Sequence, residues 1–222
     1  MKIPRLLSEM EEAVAKHKRG ELELGWRIRL WIAMKDKFGK KDSAFRRNTL
    51  ALLVARHAFP VWEKGQLVEA VPSEQMEAYY EYPAQALDEY KRYLLGKSSQ
   101  NKVTAVAMEM RDALDYWQAS PHMSMQAAYI SIMVAAQRLN AFDDELYDEQ
   151  GWFESVRDGQ HLKITDDLLG EREYCEVHVF AADLAAELAK KKVDGRREFW
   201  QTWLTESVPA VLASLTKVKT LI

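Results

Sequence analysis

The chain has 222 residues, of which 48% are hydrophobic and 29% are charged, and its formal net charge is −3. These values are typical of a soluble globular protein with a substantial core, and we expect one domain over residues 1–222. The balance of 31 basic and 34 acidic residues excludes a uniformly basic nucleic-acid binder. The one cysteine, Cys175, excludes an internal disulfide and a zinc site built from several thiolates.

The beginning of the sequence, MKIPRLLSEMEEAVAKHK, has no apolar run as long as a signal peptide requires. No segment approaches the roughly 20 apolar residues of a membrane span. We therefore expect a cytoplasmic protein with no membrane contact.

Apolar residues recur at spacings of three and four along most of the chain, which predicts amphipathic helices in chain order. One helical stripe consists of Leu50, Leu53, Val54, His57, Ala58 and Val61. A second consists of Val103, Val106, Ala107, Met110, Ala113, Leu114 and Trp117. A third consists of Tyr174, Val177, His178, Ala181, Leu184, Ala185 and Leu188. The third also contains the short β-like run EVHVF, which we assign to the helix because its period is helical.

A central helix is predicted at roughly residues 125–142, because apolar side chains surround nearly its whole circumference. Proline and glycine supply the boundaries of its neighbours. We expect helix starts at Pro4, Pro72 and Pro83, helix ends or boundaries at Gly20, Gly96 and Gly195, and a kink or end at Pro60. The sequence therefore predicts an all-α bundle of about ten helices.

Five carboxylates are crowded into residues 143–149, and Trp152 and Phe153 follow them. The run does not fit an EF-hand, since position 5 of a loop beginning at Asp143 is Tyr147 and position 6 is Asp148. A solvated turn is the ordinary interpretation. The alternative is a surface that docks on a basic protein, with the aromatic residues as anchors.

A second acidic and aromatic stretch is EAYYEYPAQALDEYKRYLLG, residues 77–96, which holds five tyrosines. Tyrosines beside carboxylates give a large contact area of negative potential, which repels nucleic acid and attracts a basic protein. The rings could equally cover the flanks of a helical hairpin.

Motifs for metals, cofactors and common enzyme classes are not found. None of the five histidines follows a glutamate by three residues, so a ferritin-like di-iron site is excluded. There is no Gly-x-Ser-x-Gly elbow, phosphate-binding glycine loop or dinucleotide fingerprint. We predict no metal, no cofactor and no enzymatic activity.

One short motif favours a nuclease instead. Arg172 and His178 are separated by five residues and resemble the Arg-x4–6-His motif of the all-α HEPN ribonucleases. In such an enzyme the histidine would accept a proton from the ribose 2′-OH and the arginine would hold the phosphate. The polar residue that usually follows the arginine in that family is here Glu173, which would repel a phosphate, and His178 lies on an apolar stripe.

Two segments resemble a different family. ALLVARHAFPVWEK, residues 51–64, and AAYISIMVAAQRLNAFDDE, residues 127–145, are similar to the alanine-rich fifth immunity family of bacterial polymorphic-toxin systems. This resemblance implies an all-α, cytoplasmic, non-enzymatic protein that neutralises a toxin by tight binding.

Our hypothesis is an inhibitor that binds a cognate, basic protein toxin and no nucleic acid. Its contact residues would be Tyr79, Tyr82, Asp143, Asp144, Asp148 and Trp152. A ribonuclease using Arg172 and His178 and a non-catalytic helical scaffold are the alternatives. The sequence leaves homo-oligomerisation open.

Overall fold

The structure is a computed structural model that describes residues 2–66, 74–117, 123–137 and 177–222, together with residues 156, 159 and 162. Within these ranges the side chains of residues 65–66, 74–79, 114–117 and 123–126 are not described. Every regular element in the described part of the chain is helical, which confirms the all-α fold. The helices there are slightly fewer than the ten predicted.

The first helix, α1, spans Ile3–Lys16, and Pro4 lies in its first turn as predicted. Its buried residues, Ile3, Leu6, Met10 and Val14, are spaced by three or four and form one apolar stripe. Gly20 follows the helix with a positive φ of 72°, in agreement with the predicted boundary.

The longest element, α2, spans Leu24–Gln66 and consists of two helices that meet at Gly39. Gly39 has φ 77° and ψ 166°, a conformation that glycine adopts without a Cβ penalty. Pro60 lies inside α2, which continues to Gln66, so of the two predicted alternatives, a kink or an end, the end is excluded.

The apolar stripe predicted for α2 includes residues from the buried side of the helix and residues from its exposed side. Leu50, Val54 and Ala58 are buried, as expected, but His57 is exposed and Leu53 is half-buried. The reason is that α2 packs against α3, α5 and other helices at once, which also buries Leu52, Ala55 and Trp62. One sequence stripe cannot describe a helix that has several neighbours.

The next two helices are α3, Glu74–Leu94, and α4, Gln100–Trp117. Pro83 lies in the interior of α3, so the predicted helix start there is wrong. Pro72 lies outside the described residues. On α4 the predicted stripe is confirmed at Val103, Ala107, Met110 and Ala113, which are buried; Leu114 and Trp117 have no described side chains.

The predicted central helix is α5, Met123–Gln137, which packs against α2, α3, α4 and the helix that begins at Val177. Each residue from Ser131 to Ala136 is buried, as a helix at the centre of a bundle requires. Its Tyr129 hydroxyl donates to the Met110 carbonyl of α4 at 2.9 Å. Residues 138–142 of the predicted helix lie outside the described residues.

The C-terminal part contains α6, Val177–Leu188, α7, Lys192–Thr202, α8, Val208–Leu212, and α9, Leu215–Lys219. A π-helical turn, Trp203–Ser207, joins α7 to α8. EVHVF is helical from Val177 onward, which confirms that assignment. The third predicted stripe is confirmed at Val177, His178, Ala181 and Leu184, but Leu188 is 59% exposed.

Gly195 is not a boundary, because it is the fourth residue of α7 and is buried. A Cβ at this position would lie 2.4 Å from the Ala185 carbonyl oxygen and 2.7 Å from the Ala189 Cβ. Glycine is therefore needed here so that α6 and α7 can approach each other closely.

Two arginines of α2 hold the C-terminal helices in place. The Arg46 Nη1 donates to the carbonyls of Val211 at 2.5 Å and Ala213 at 2.7 Å, which satisfies acceptors at the end of α8. Arg56 donates to the carbonyls of Leu221 and Ile222 at 3.1 and 3.0 Å. The Arg46 guanidinium also lies 4.0 Å from the centre of the Phe38 ring.

Candidate functional site: the α3–α4 hairpin

The hairpin formed by α3 and α4 carries one of the two predicted acidic and aromatic stretches. At the end of α3 the Gly96 N–H donates to the Tyr93 carbonyl at 2.9 Å, and the Lys97 N–H donates to the Arg92 carbonyl at 2.8 Å. With φ 71° at Gly96, this is a Schellman motif. Five residues, 95–99, separate the two helices, and the helices pack against each other, so they run antiparallel.

The charges of the hairpin are separated along its length. Its turn end is basic, with Lys97 and Lys102 exposed. Away from the turn the exposed carboxylates are Glu81 and Asp88 on α3 and Glu109 and Asp112 on α4. We call these four carboxylates the acidic face of the hairpin.

The acidic face is not fully compensated by basic neighbours within the described chain. The structure contains no ion pair between its four carboxylates and a described lysine or arginine, whereas Glu89, nearer the turn, pairs with Arg92 at 3.4 Å. Arg111 is exposed on the same part of α4 and has an interaction of its own. The face therefore presents negative charge to the solvent.

The tyrosines of α3 divide into different roles. Tyr90 is 2% exposed and is therefore a core residue. Its burial raises the pKa of the hydroxyl above the ordinary value of 10. Tyr80 packs on Trp62 with ring centres 5.9 Å apart, and its carbonyl accepts from the Trp62 Nε1 at 3.3 Å. Tyr82 and Tyr93 are half-buried and pack against the core. The aromatic surface is thus smaller than the sequence suggested.

Five of the six predicted contact residues have side chains outside the described part of the chain. Asp143, Asp144, Asp148 and Trp152 lie outside the described residues, and so does the side chain of Tyr79. Of the predicted contacts, the structure locates Tyr82, on the half-buried flank of α3.

Glu109 and Asp112 are additions that sequence reasoning missed. The signal was present, because both occupy the polar side of α4, opposite the stripe that contains Val103, Ala107 and Met110. What the sequence did not reveal is that α4 packs beside α3 and so brings these carboxylates to the same hairpin as Glu81 and Asp88.

His178, the proposed base of the ribonuclease alternative, belongs to the core. It is 3% exposed, and its Nδ1 accepts from the Trp203 Nε1 at 3.2 Å. Its ring also lies 5.9 Å from Trp31 and 5.2 Å from Trp203, centre to centre. Burial first, and the positive charge of Arg27 second, lower the pKa of His178 from 6.5 to about 3.

This geometry does not suit a general base, which must reach a substrate proton and have a pKa near the working pH. Arg172, its supposed partner, lies outside the described residues. Within the described part of the chain there is also no group of three or more histidine, cysteine, aspartate or glutamate side chains that could hold a metal ion.

The comparison with known families supplies the decisive observation. The model of one family, described as "Imm5: Immunity protein Imm5", matches residues 7–210. The chain belongs to the Imm5 immunity protein family. Its members are generally not enzymes, and membership implies a toxin as binding partner. The family indicated by residues 51–64 and 127–145 is thereby confirmed.

The Imm5 match begins inside α1 and ends inside α8, so it includes the α3–α4 hairpin, α5 and α6. A comparison with curated proteins found no match. None of the helices in the described part of the chain is both long and apolar enough to cross a membrane.

Proposed function

We propose that this Imm5 protein binds its cognate toxin in the cytoplasm and neutralises it through a negatively charged surface. Membership of the Imm5 family over residues 7–210 is the observation that carries the proposal. The acidic face of the hairpin supports the negative sign of the surface, since its four carboxylates are exposed.

The proposed surface acts in two ways. Glu81, Asp88, Glu109 and Asp112 accelerate the encounter with a basic toxin, because opposite charges steer diffusing proteins together. Half-buried aromatic side chains such as Tyr82 then slow dissociation, since rigid rings held by the core lose little conformational entropy on binding. We propose Tyr79, Asp143, Asp144, Asp148 and Trp152 as further contacts with the toxin.

The first experiment tests the function itself. The chain is purified together with the product of the reading frame beside its own gene, and the toxic activity of that product is measured with and without the chain. We expect a stable complex and loss of toxicity. A complex that forms without loss of activity would favour the helical scaffold, and absence of any complex would remove the proposed function.

The second experiment tests the surface. Reversing Glu81→Lys together with Asp88→Lys should slow association with the toxin about tenfold at low salt and much less at high salt. The matched control reverses Glu11 and Glu12, two exposed residues of α1 that change the net charge equally. Association rates measured by stopped-flow mixing at several salt concentrations separate the two. Equal rates for both variants would show that net charge, and not the hairpin, steers the toxin.

A third variant addresses the predicted acidic run. Changing Asp143, Asp144 and Asp148 to lysine should slow association in the same salt-dependent way. If the rate stays at the wild-type value while the hairpin variant is slow, the run is a solvated turn and the contact surface is the hairpin alone.

A further inference from the structure

A hollow of about 430 Å³ lies between α2, α6, α7 and the π-helical turn. Its floor includes Val54 and Trp203, which are 2% and 1% exposed, and its walls include Phe199 and Ala185. Polar side chains, among them Glu198, line part of it. The π-helical turn that contributes Trp203 is a rare element and occurs frequently at functional sites.

Leu188 stands beside this hollow and is 59% exposed, the most exposed large hydrophobic residue in the described part of the chain. It is the last residue of α6. An exposed aliphatic side chain next to an open apolar hollow forms a patch of the kind that marks an interaction site. The face therefore carries a projection and a recess side by side.

The charges around the hollow differ in sign at its two ends. Lys190 and Lys191 are exposed in the turn between α6 and α7, directly after Ala189, which lines the hollow. Glu198 and Glu206 are exposed farther along, and Glu198 follows Lys191 by about 10 Å of helix. The structure shows no ion pair between any of these four side chains and a described residue.

The neighbouring charges are already neutralised within the chain. Lys192 pairs with Glu187, Arg196 pairs with Asp183 at 2.9 Å, and Arg197 pairs with Asp194 at 3.5 Å. What remains on the face is a basic end at the α6–α7 turn and an acidic end formed by Glu198 of α7 and Glu206 of the π-helical turn.

We propose that this face binds a second copy of the chain in a two-fold symmetric pair. A two-fold axis through the hollow turns the second copy so that its hollow runs in the opposite direction. The basic end of one copy then meets the acidic end of the other. The same operation places Leu188 of each copy over the recess of its partner. A uniformly basic partner, such as the proposed toxin, would match Glu198 but would be repelled by Lys190 and Lys191.

This pairing is independent of toxin binding and can be measured with the chain alone. Sedimentation velocity or light scattering over a concentration series should show a monomer–dimer equilibrium. Leu188→Glu should raise the dimer dissociation constant about a hundredfold, because the side chain is lost at two symmetric places in each dimer. Leu95→Glu is the matched control, since Leu95 is 43% exposed on the hairpin, and it should leave the constant unchanged.

A charge exchange tests the orientation. A variant with Lys190 and Lys191 changed to glutamate and another with Glu198 and Glu206 changed to lysine should each dimerise weakly. An equimolar mixture of the two should form mixed dimers at lower concentration than either alone. A wild-type chain that stays monomeric, an unchanged constant for Leu188→Glu, an equal loss for Leu95→Glu, or a mixture no tighter than its components would each overturn the proposal. Circular dichroism of every variant checks that the fold is retained.

Discussion

In two pairs of packed helices, α3–α4 and α6–α7, the exposure of a key side chain is the opposite of what the sequence suggests. On α3 the tyrosines resemble a surface of exposed rings, but Tyr90 is 2% exposed and Tyr80 packs on Trp62. On α6 Leu188 continues a buried apolar stripe, but it is 59% exposed. In α3–α4, Tyr90 is a core residue although its sequence neighbours are polar. In α6–α7, Leu188 is a surface residue although it ends an apolar stripe.

The difference shows how far a helical period can be used. The period identifies the side of a helix on which a residue lies, but the neighbouring helices decide how much of that side is covered. Tyr90 is covered because α3 packs against α2, α4 and α5. Leu188 is not, because it is the last residue of α6 and lies beside an open hollow.

The largest expected effect is the difference in stability between truncating Tyr90 and truncating Leu188. Tyr90→Ala should lower the free energy of unfolding by about 3–5 kcal/mol, as for other large aromatic residues in a core. Leu188→Ala should lower it by no more than about 0.5 kcal/mol in the monomer. Urea unfolding at the lowest workable protein concentration compares them.

Tyr90→Phe serves as the control for this comparison, because the Tyr90 hydroxyl has no hydrogen-bond partner among the residues that the structure describes. Removing an unsatisfied buried hydroxyl should be nearly neutral. If Tyr90→Ala lowered the free energy of unfolding no more than Leu188→Ala, Tyr90 would not be a core residue and the contrast with Leu188 would be wrong.

A smaller loss is expected from filling the contact between α6 and α7. Gly195→Ala should lower the free energy of unfolding by about 1–3 kcal/mol, because the added Cβ would lie 2.4 Å from the Ala185 carbonyl oxygen. In an open helix the same change would stabilise by about 1 kcal/mol. The sign of the effect, measured by urea unfolding, therefore decides between close contact and an open helix. Ala84→Gly on the exposed side of α3 calibrates the helix propensity alone.

The pH dependence of stability tests the buried state of His178. The pKa of His178 is about 3 in the folded chain and 6.5 in the unfolded chain. His178 therefore takes up a proton more readily when the chain is unfolded. Its contribution to stability is therefore complete above pH 6.5 and is lost as the pH falls toward 3. The loss is at most about 1.4 kcal/mol per pH unit.

His178→Asn should flatten this slope between pH 6.5 and 3 in urea unfolding at a series of pH values. Asparagine does not titrate, and its side-chain oxygen can still accept from the Trp203 Nε1. An unchanged slope for His178→Asn would mean that other groups determine the acid response.

Much of the fold was predictable from residues that are close in sequence. The stripe of α4, the apolar circumference of α5 and the helix at Val177 follow from local periodicity, and Gly96 follows from the chemistry of helix ends. Pro83 and Gly195 were misassigned for a different reason. A proline inside a long helix and a glycine at a helix crossing have the same local signature as boundary residues, and the packing of other helices makes them acceptable there.

The candidate site was predictable only in part. Composition and the carboxylates of residues 77–96 predicted a negative sign for the surface, and Glu81 and Asp88 are exposed as that requires. Glu109 and Asp112 join them only because α4 returns antiparallel along α3, which no pattern within α4 indicates.

The sequence by itself determined that this protein is an all-helical member of the Imm5 family, because helical period and family pattern are properties of the order of residues. The tertiary structure alone decided which side chains face the solvent. Exposure depends on contacts between residues far apart in the chain, such as Trp203 beside His178 or Gly195 against Ala185, and those contacts exist only once the helices have packed.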